Sequence, residues 1–191
     1  MKEILFINAC VRPQSRTKML AEYFLSKREG HITEIDLQKE DIAGWSWERL
    51  ETRDKALAEG DMDHPILKYA HQFAAADEIV IAAPYWDLSF PAWLKCYLEN
   101  CCVVGVTFAY DEKAQPYGMC KAANLTYITT AGGPLISDEL GYGYIRFLCD
   151  TFYGITNTNY IKADGLDMVG ADVEGILRKA KDEIDCLAEK L

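Results

Sequence analysis

Glu78-Ile79-Val80-Ile81-Ala82-Ala83-Pro84-Tyr85-Trp86-Asp87-Leu88-Ser89-Phe90-Pro91 decides the fold. Its first residues are a short apolar run bounded by a proline, the pattern of a strand buried on both faces. The stretch that follows Pro91, Ala92-Trp93-Leu94-Lys95-Cys96-Tyr97-Leu98, reads as a helix, and proline at a helix start costs no hydrogen bond. A strand that runs into Pro84, Tyr85 and Trp86 and then a helix puts flat apolar groups at the carboxyl edge of a sheet. Open α/β sheets bind ligands at that edge.

The same alternation extends in both directions. Ile4 to Asn8, Ile32 to Leu37, Ile79 to Ala83, Asn124 to Thr130 and Thr158 to Ala163 read as five strands, with Ile32 to Leu37 at an edge. Between them, helices are expected from about Ser15 to Lys27, Pro65 to Ala76, after Pro91, in part of Asp138 to Tyr153, and from Ala171 to Leu191. Residues 38–62, with Trp45 and Trp47, read as an irregular excursion that covers a site or partner, or is simply a solvated connection. Residues 103–122 read as an irregular insertion carrying Gly105, Pro116 and Gly118. Strands joined by right-handed helical crossovers give a parallel α/β sheet with helices on both faces. We expect one domain over residues 1–191, with strand order 2-1-3-4-5.

Composition limits the function. The formal charge is -10, so the chain lacks the basic face needed to displace counterions from nucleic acid, and it does not suit anionic lipid. No apolar run approaches the roughly 20 residues that span a bilayer. Met1-Lys2-Glu3 leads straight into a strand rather than a signal-peptide core, so a cytoplasmic location is expected. The seven cysteines contain no CxxC pair and read as reduced thiols. Three histidines without ligand spacing give no expectation of a metal site.

Three loops carry candidate chemistry. Ala9-Cys10-Val11-Arg12-Pro13-Gln14-Ser15-Arg16-Thr17 follows the first strand, and Ser15 is placed to cap the next helix. Free amides at that helix start, hydroxyls of Ser15 and Thr17, and the guanidiniums of Arg12 and Arg16 suit a phosphate. The loop has neither GxGxxG nor a Walker pattern. The aromatic stretch around Tyr85, Trp86 and Phe90 follows the third strand. Thr129-Thr130-Ala131-Gly132-Gly133-Pro134 follows the fourth, and its glycines let backbone approach a ligand closely. Each loop alone has an ordinary reading as a cap, a core cluster or a tight turn. In a 2-1-3-4-5 sheet, however, the three parent strands are adjacent and their loops surround the switch point. Phosphate, aromatic plane and close amides together suit flavin mononucleotide (FMN).

With these residues in view, the chain resembles the flavodoxin-like NAD(P)H-dependent oxidoreductases, and most of all the bacterial FMN-dependent NADH:quinone oxidoreductases known as azoreductases. The resemblance spans nearly the whole chain. It rests on Ala82-Ala83-Pro84-Tyr85-Trp86-Asp87-Leu88, Gly105-Val106-Thr107-Phe108-Ala109-Tyr110, Thr130-Ala131-Gly132-Gly133 and Ser15-Arg16-Thr17. It implies a flavodoxin-like three-layer sandwich, a homodimer, and FMN as cofactor with NADH or NADPH as co-substrate. Hydride would pass through the flavin by ping-pong to quinone, azo or nitroaromatic acceptors.

The resemblance also implies roles. Ser15, Arg16 and Thr17 would hold the phosphate, with Cys10 beside them where the family has a serine near the end of the first strand. Pro84, Tyr85, Trp86, Asp87 and Leu88 would contact the ring and ribityl arm, and Thr130, Ala131, Gly132 and Gly133 the ring edge. Phe108 and Trp86 would face the substrate, Phe108 either within its own chain or from across the dimer interface. The flavin carries the chemistry, so no side chain is expected to be catalytic. The family usually has Asn where Asp87 stands and Arg where Ala131 stands. Two other classes stay open: a flavodoxin-type electron carrier, and a non-enzymatic flavodoxin-like binding or sensing domain. Steady-state NADH oxidation with a quinone excludes the first, and flavin retention excludes the second.

Overall fold

The computed structural model describes residues Met1–Leu191. Its main sheet uses β1 (Glu3–Asn8), β2 (His31–Asp36), β3 (Glu78–Ala82), β6 (Asn124–Thr130) and β7 (Thr158–Ala163). All four pairings are parallel, in the order β2-β1-β3-β6-β7. Counted among the five main strands alone, this is the expected order 2-1-3-4-5. The central position of β3 explains its composition. Ile79, Val80, Ile81 and Ala82 are fully buried, because side chains on both faces of an inner parallel strand meet helices.

Two apolar layers hold the sheet. On one face α1 (Arg16–Leu25) and α6 (Val173–Ala188) pack through Leu20, Phe24, Ala180 and Ile184 against Ile4, Phe6, Val80 and Ile128. On the other, α3 (Lys68–Ala75) and α4 (Ala92–Cys101) place Phe73, Leu94 and Tyr97 against Leu5, Ile79, Ile81 and Leu125. Burying a large apolar side chain contributes about 1.5–3 kcal/mol, so each layer holds the sheet by many such increments. The alternation of faces along β1 and β3 sets which residues join which layer.

Two regions are more regular than their sequences suggest. The excursion at 38–62 contains α2 (Trp47–Glu59), capped by Ser46 and closed by Gly60 in the left-handed region. Only Ala56 of this helix is buried, so it has almost no apolar period to read. Trp45 pins the preceding loop to α4. Its Nε1 donates to the Glu99 carbonyl at 3.3 Å, and the guanidiniums of Arg49 and Arg53 lie over its ring. The insertion at 103–122 contains an antiparallel pair, β4 (Phe108–Tyr110) and β5 (Pro116–Gly118). A side chain at Gly118 would collide with the backbone of Tyr153 and Gly154, so glycine lets this hairpin sit flat on the body.

The segment between β6 and β7 is helical throughout Glu139–Tyr153. It is wound as a short α-helix, α5 (Tyr144–Leu148), between two π-type turns. No helix is long and apolar enough to cross a membrane.

Candidate functional site

Registry at the carboxyl ends of the central strands brings the three sequence loops together. Asn8 lies beside Ala82 and Ala82 beside Ile128, so β1, β3 and β6 release their loops at one level. Backbone bonds carry the alignment onward: Ala9 donates to Ala82, Ala83 to Ile128, and Tyr85 to Thr130. The result is a cleft of about 230 Å³, lined by Val11, Arg12, Gln14, Ser15, Arg16, Thr17, Pro84, Tyr85, Trp86, Thr130, Gly132 and Asp167.

The polar wall begins at the start of α1. Ser15 is the N-cap, and its hydroxyl accepts from the Lys18 amide at 3.2 Å. The Ser15 amide itself donates to the Arg12 carbonyl, which closes the loop. The amides of Arg16 and Thr17 have no acceptor within the chain. They are two of the orphan donors of a helix N-terminus, where the helix dipole favours an anion. Thr17 Oγ1 and Thr130 Oγ1 lie 2.7 Å apart and buried, tying α1 to the end of β6. One hydroxyl of that pair donates to the other, which leaves a single proton free for a ligand.

The two arginines differ. Arg16 donates through Nη2 to Asp167 Oδ1 at 2.6 Å and through Nη1 to the Leu166 carbonyl at 3.1 Å. Two of the guanidinium's N–H donors are therefore spent on the loop after β7, while the Arg16 amide stays unspent at the cleft. Arg12 lines the same cleft and has no carboxylate partner.

Several expected contacts change at this resolution of detail. Cys10 is 3% exposed and packs into the core layer under α1, with its thiol on the Ala82 carbonyl and its own carbonyl taken by Gln38. Burial pushes that thiol up to about 11, so it is held as a neutral group in the core. Ala131 is also withdrawn: its amide donates to Ala163, its carbonyl accepts from Leu166, and its methyl is buried. Gly132 admits a protein group. A Cβ there would collide with Asp167 Oδ2, so the missing side chain makes room for the Asp167 carboxylate. The amides of Gly132 and Gly133 remain free of internal acceptors.

The aromatic wall is a tight reversal. Trp86 and Ser89 exchange backbone hydrogen bonds, and Asp87 and Leu88 between them have φ of 49° and 68°. Two successive left-handed residues are the signature of a type I′ turn, which ordinarily takes Asn-Gly. Asp87 therefore stands where the backbone favours Asn, and it is exposed. The amides of Asp87 and Leu88 are unspent. Tyr85 lines the cleft, and its hydroxyl is buried without a hydrogen-bond partner. Such an orphan costs about 1–3 kcal/mol, and a ligand that accepts from it recovers that cost.

Phe108 is elsewhere. It is 6% exposed and packs edge-on against Phe152 at 4.7 Å and Tyr110 at 5.6 Å. The structure places it away from the cleft of its own chain, within the small hairpin.

Beside the turn lies an apolar face. Ser89 Oγ donates to the Leu140 carbonyl, and the Phe90 ring meets Tyr144 at 5.8 Å. These contacts join the turn to the helical segment that begins at Glu139. Leu88, Trp93, Ile136, Leu140 and Phe147 are exposed around that junction, Phe147 by 72%. No cluster of three or more His, Cys, Asp or Glu side chains is placed to hold a metal ion.

The site fits a phosphorylated flat ligand on its own geometry: unspent helix amides and an unpaired arginine at one end, an orphan hydroxyl and an exposed indole at the other. Comparison with known proteins agrees. A sequence profile described as flavodoxin-like fold matches residues 2–187. FMN-dependent NADH:quinone oxidoreductase 2 of Clostridium acetobutylicum is 41% identical over 199 residues, covering 96% of this chain and 98% of that one. Among solved structures, azoreductase from Bacillus anthracis superposes with a TM-score of 0.86 at 26% identity, covering both chains completely. An FMN-dependent NADH-azoreductase of the same species, solved in complex with FMN, superposes with a TM-score of 0.83 at 20% identity, over 100% of this chain and 99% of that one; it bears on the fold alone.

Proposed function

Because the chain belongs to the flavodoxin-like family, among the FMN-dependent NADH:quinone oxidoreductases, we propose that it is an FMN enzyme carrying electrons from NADH to quinones. Azo compounds and nitroaromatics are further acceptors in this reading, since they share a flat, electron-poor framework. The observation that carries it is the convergence of three loops on one cleft. Unspent donors of Arg16 and Thr17 face the same space as Tyr85 and Trp86.

When bound, FMN supplies two-electron transfer, taking hydride from the nicotinamide and passing electrons to the acceptor in turn. The chain's part is binding and orientation. The Arg16 and Thr17 amides, the Ser15 hydroxyl and Arg12 hold the phosphate. Thr130, through the free proton of its pair with Thr17, serves the polyol arm. The Tyr85 hydroxyl and the amides of Asp87, Leu88, Gly132 and Gly133 are the donors left for ring heteroatoms. Amides donating to the ring would favour the negative charge that reduction brings. Trp86 and Pro84 give the flat surface that keeps water off one side. The donor and acceptor share the open side and bind one after the other, which makes the kinetics ping-pong.

We read residues 1–191 as one domain that works as a homodimer in the cytoplasm. The apolar face next to Trp86 supports the dimer, since exposed patches of this kind mark association surfaces. A second copy seated there would also finish the cleft's open side.

One experiment decides the main reading. The purified protein, loaded with FMN, is mixed with NADH without oxygen and then with a soluble quinone. The yellow absorbance should bleach and return, and NADH should be consumed catalytically. Flavin that stays bound but supports no turnover would instead make the protein an electron carrier. A protein that retains no flavin would make it a binding or sensing domain.

A further inference from the structure

Resting on the reading of the cleft as an FMN site, we propose that Asp167 is a positioning residue that removes Arg16 from phosphate binding and leaves Arg12 as the phosphate's only cation. Sequence order suggests the opposite, because Arg16 stands between Ser15 and Thr17 at the helix start. The side-chain geometry reverses it. Arg16 reaches across 151 positions of sequence to Asp167 at 2.6 Å and 150 to the Leu166 carbonyl at 3.1 Å.

Asp167 is itself fixed. Its amide donates to the Gly132 carbonyl at 2.8 Å, and its carboxylate fills the space that a side chain at Gly132 would take. The preceding Leu166 amide donates to Ala131. The loop after β7 is thus stitched to the glycine turn, and the carboxylate is presented to Arg16 rather than drifting to it. A guanidinium satisfied by a carboxylate and a carbonyl has little to gain by leaving them for a third acceptor. The pair also neutralises itself, so the charge that the cleft offers an anion is that of Arg12.

An ion pair with its side chains 29% and 59% exposed adds little to stability. Its consequence is in binding. It joins the loops after β1, β6 and β7, and it limits the grip on the phosphate to neutral donors and one exposed, unpaired arginine. Asp167 therefore sets how strongly the site prefers FMN over riboflavin, which has the same ring and polyol arm but no phosphate.

The test uses apo-protein titrated with FMN and with riboflavin, each followed by quenching of flavin fluorescence, in wild type, Arg12→Gln, Arg16→Gln and Asp167→Asn. The preference is the ratio of the two affinities. Loss of a charged hydrogen bond predicts a fall of about tenfold in Arg12→Gln. In Arg16→Gln the ratio should stay within about twofold, because the lost charge was already paired. In Asp167→Asn, Arg16 is released and the ratio should rise about threefold or more, with a steeper salt dependence. A tenfold fall in Arg16→Gln, or a fall in Asp167→Asn, would overturn the proposal. Riboflavin affinity reports whether each variant keeps its cleft. If Asp167→Asn does not fold, the contrast between the two arginine variants still decides. Wild type that binds neither flavin would refute the FMN site itself, a result distinct from wild type that binds FMN without these contrasts.

Discussion

The two walls of the cleft use their atoms differently. On the α1 side, Ser15 caps the helix, Thr17 and Thr130 satisfy each other in a buried pair, and Arg16 is held by Asp167 and Leu166. That wall is assembled before any ligand arrives, with a few donors deliberately unspent. On the other side, Trp86 to Ser89 turn through two left-handed residues, neither of them glycine, and hand over to a helical segment whose large apolar groups are exposed. The first wall is finished by bonds inside the chain. The second carries backbone strain and bare hydrocarbon, the condition of a surface that another molecule completes. Binding a phosphate needs rigidity. In the proposed function, admitting two flat substrates in turn needs an open side, which the proposed second copy would shape.

The contrast breaks most visibly at Phe147 and Leu140. If the apolar wall is completed by a second copy, Phe147→Asp with Leu140→Asp should halve the mass seen by light scattering. Quinone turnover should fall by about tenfold or more, since interface charges left unpaired are strongly unfavourable. Flavin content should drop less, because the polar wall is untouched. A double variant that remains dimeric would place the interface elsewhere.

A pH effect tests the floor of the polar wall. Cys10 is an acid whose folded-state value burial raises from the usual 9.0 to about 11. Above pH 9 the unfolded chain gives up this proton while the folded chain still holds it. The stability contribution is therefore full below pH 9 and lost as pH rises through 11. The loss amounts to about 2–3 kcal/mol at this site. Urea unfolding at pH 8 and pH 11 should reveal it, and Cys10→Ala should flatten that part of the slope. An unchanged slope would mean that the thiolate is tolerated in the core.

How much of this could be read from the chain follows from where the signals lie. The five main strands announce themselves as short apolar runs, and three of the site's loops carry composition unusual enough to notice. Helix α2 hides because a helix that buries only Ala56 shows no period. Hairpin β4–β5 hides because its strands are three residues long and β5, Pro116-Tyr117-Gly118, has the composition of a loop. Asp167 could not be found by spacing: it sits in an ordinary-looking turn, and what makes it part of the site is a partner far away in sequence. The same distance hid the pairing of the Arg16 side chain with Asp167. The Cys10 and Ala131 side chains point into the core for a simpler reason, since being next to a cleft residue at a strand end sends the side chain to the other face. The left-handed pair Asp87-Leu88 had no glycine to mark it.

The pair Thr17–Thr130 gives the next effect in size. Thr17→Val keeps the shape but leaves the Thr130 hydroxyl without its partner at a position 8% exposed. An unpaired buried hydroxyl costs about 1–3 kcal/mol, which chemical denaturation can measure. Riboflavin and FMN should both bind more weakly, because the pair positions the end of β6 rather than the phosphate. Equal stability in Thr17→Val would mean that Thr130 turns into the cleft and finds water, so the wall is looser than its geometry implies.

The smallest effect has the opposite sign and probes the other wall. Leu88 holds φ of 68° with its side chain 48% exposed. A left-handed conformation costs a branched residue about 1–2 kcal/mol, and glycine adopts it freely. Leu88→Gly gains that relief but loses some apolar contact and frees the unfolded chain at a cost of about 0.4–1 kcal/mol, so the net stabilisation should be at most about 0.5–1 kcal/mol. If the strain is kept because Leu88 presents its side chain to a ligand or to a second copy, the more stable variant should turn over quinone more slowly. A gain in stability with unchanged turnover would show that the turn needs only its backbone amides. A loss of stability would show that Leu88 is packed in the working protein, by a partner that covers the bare wall.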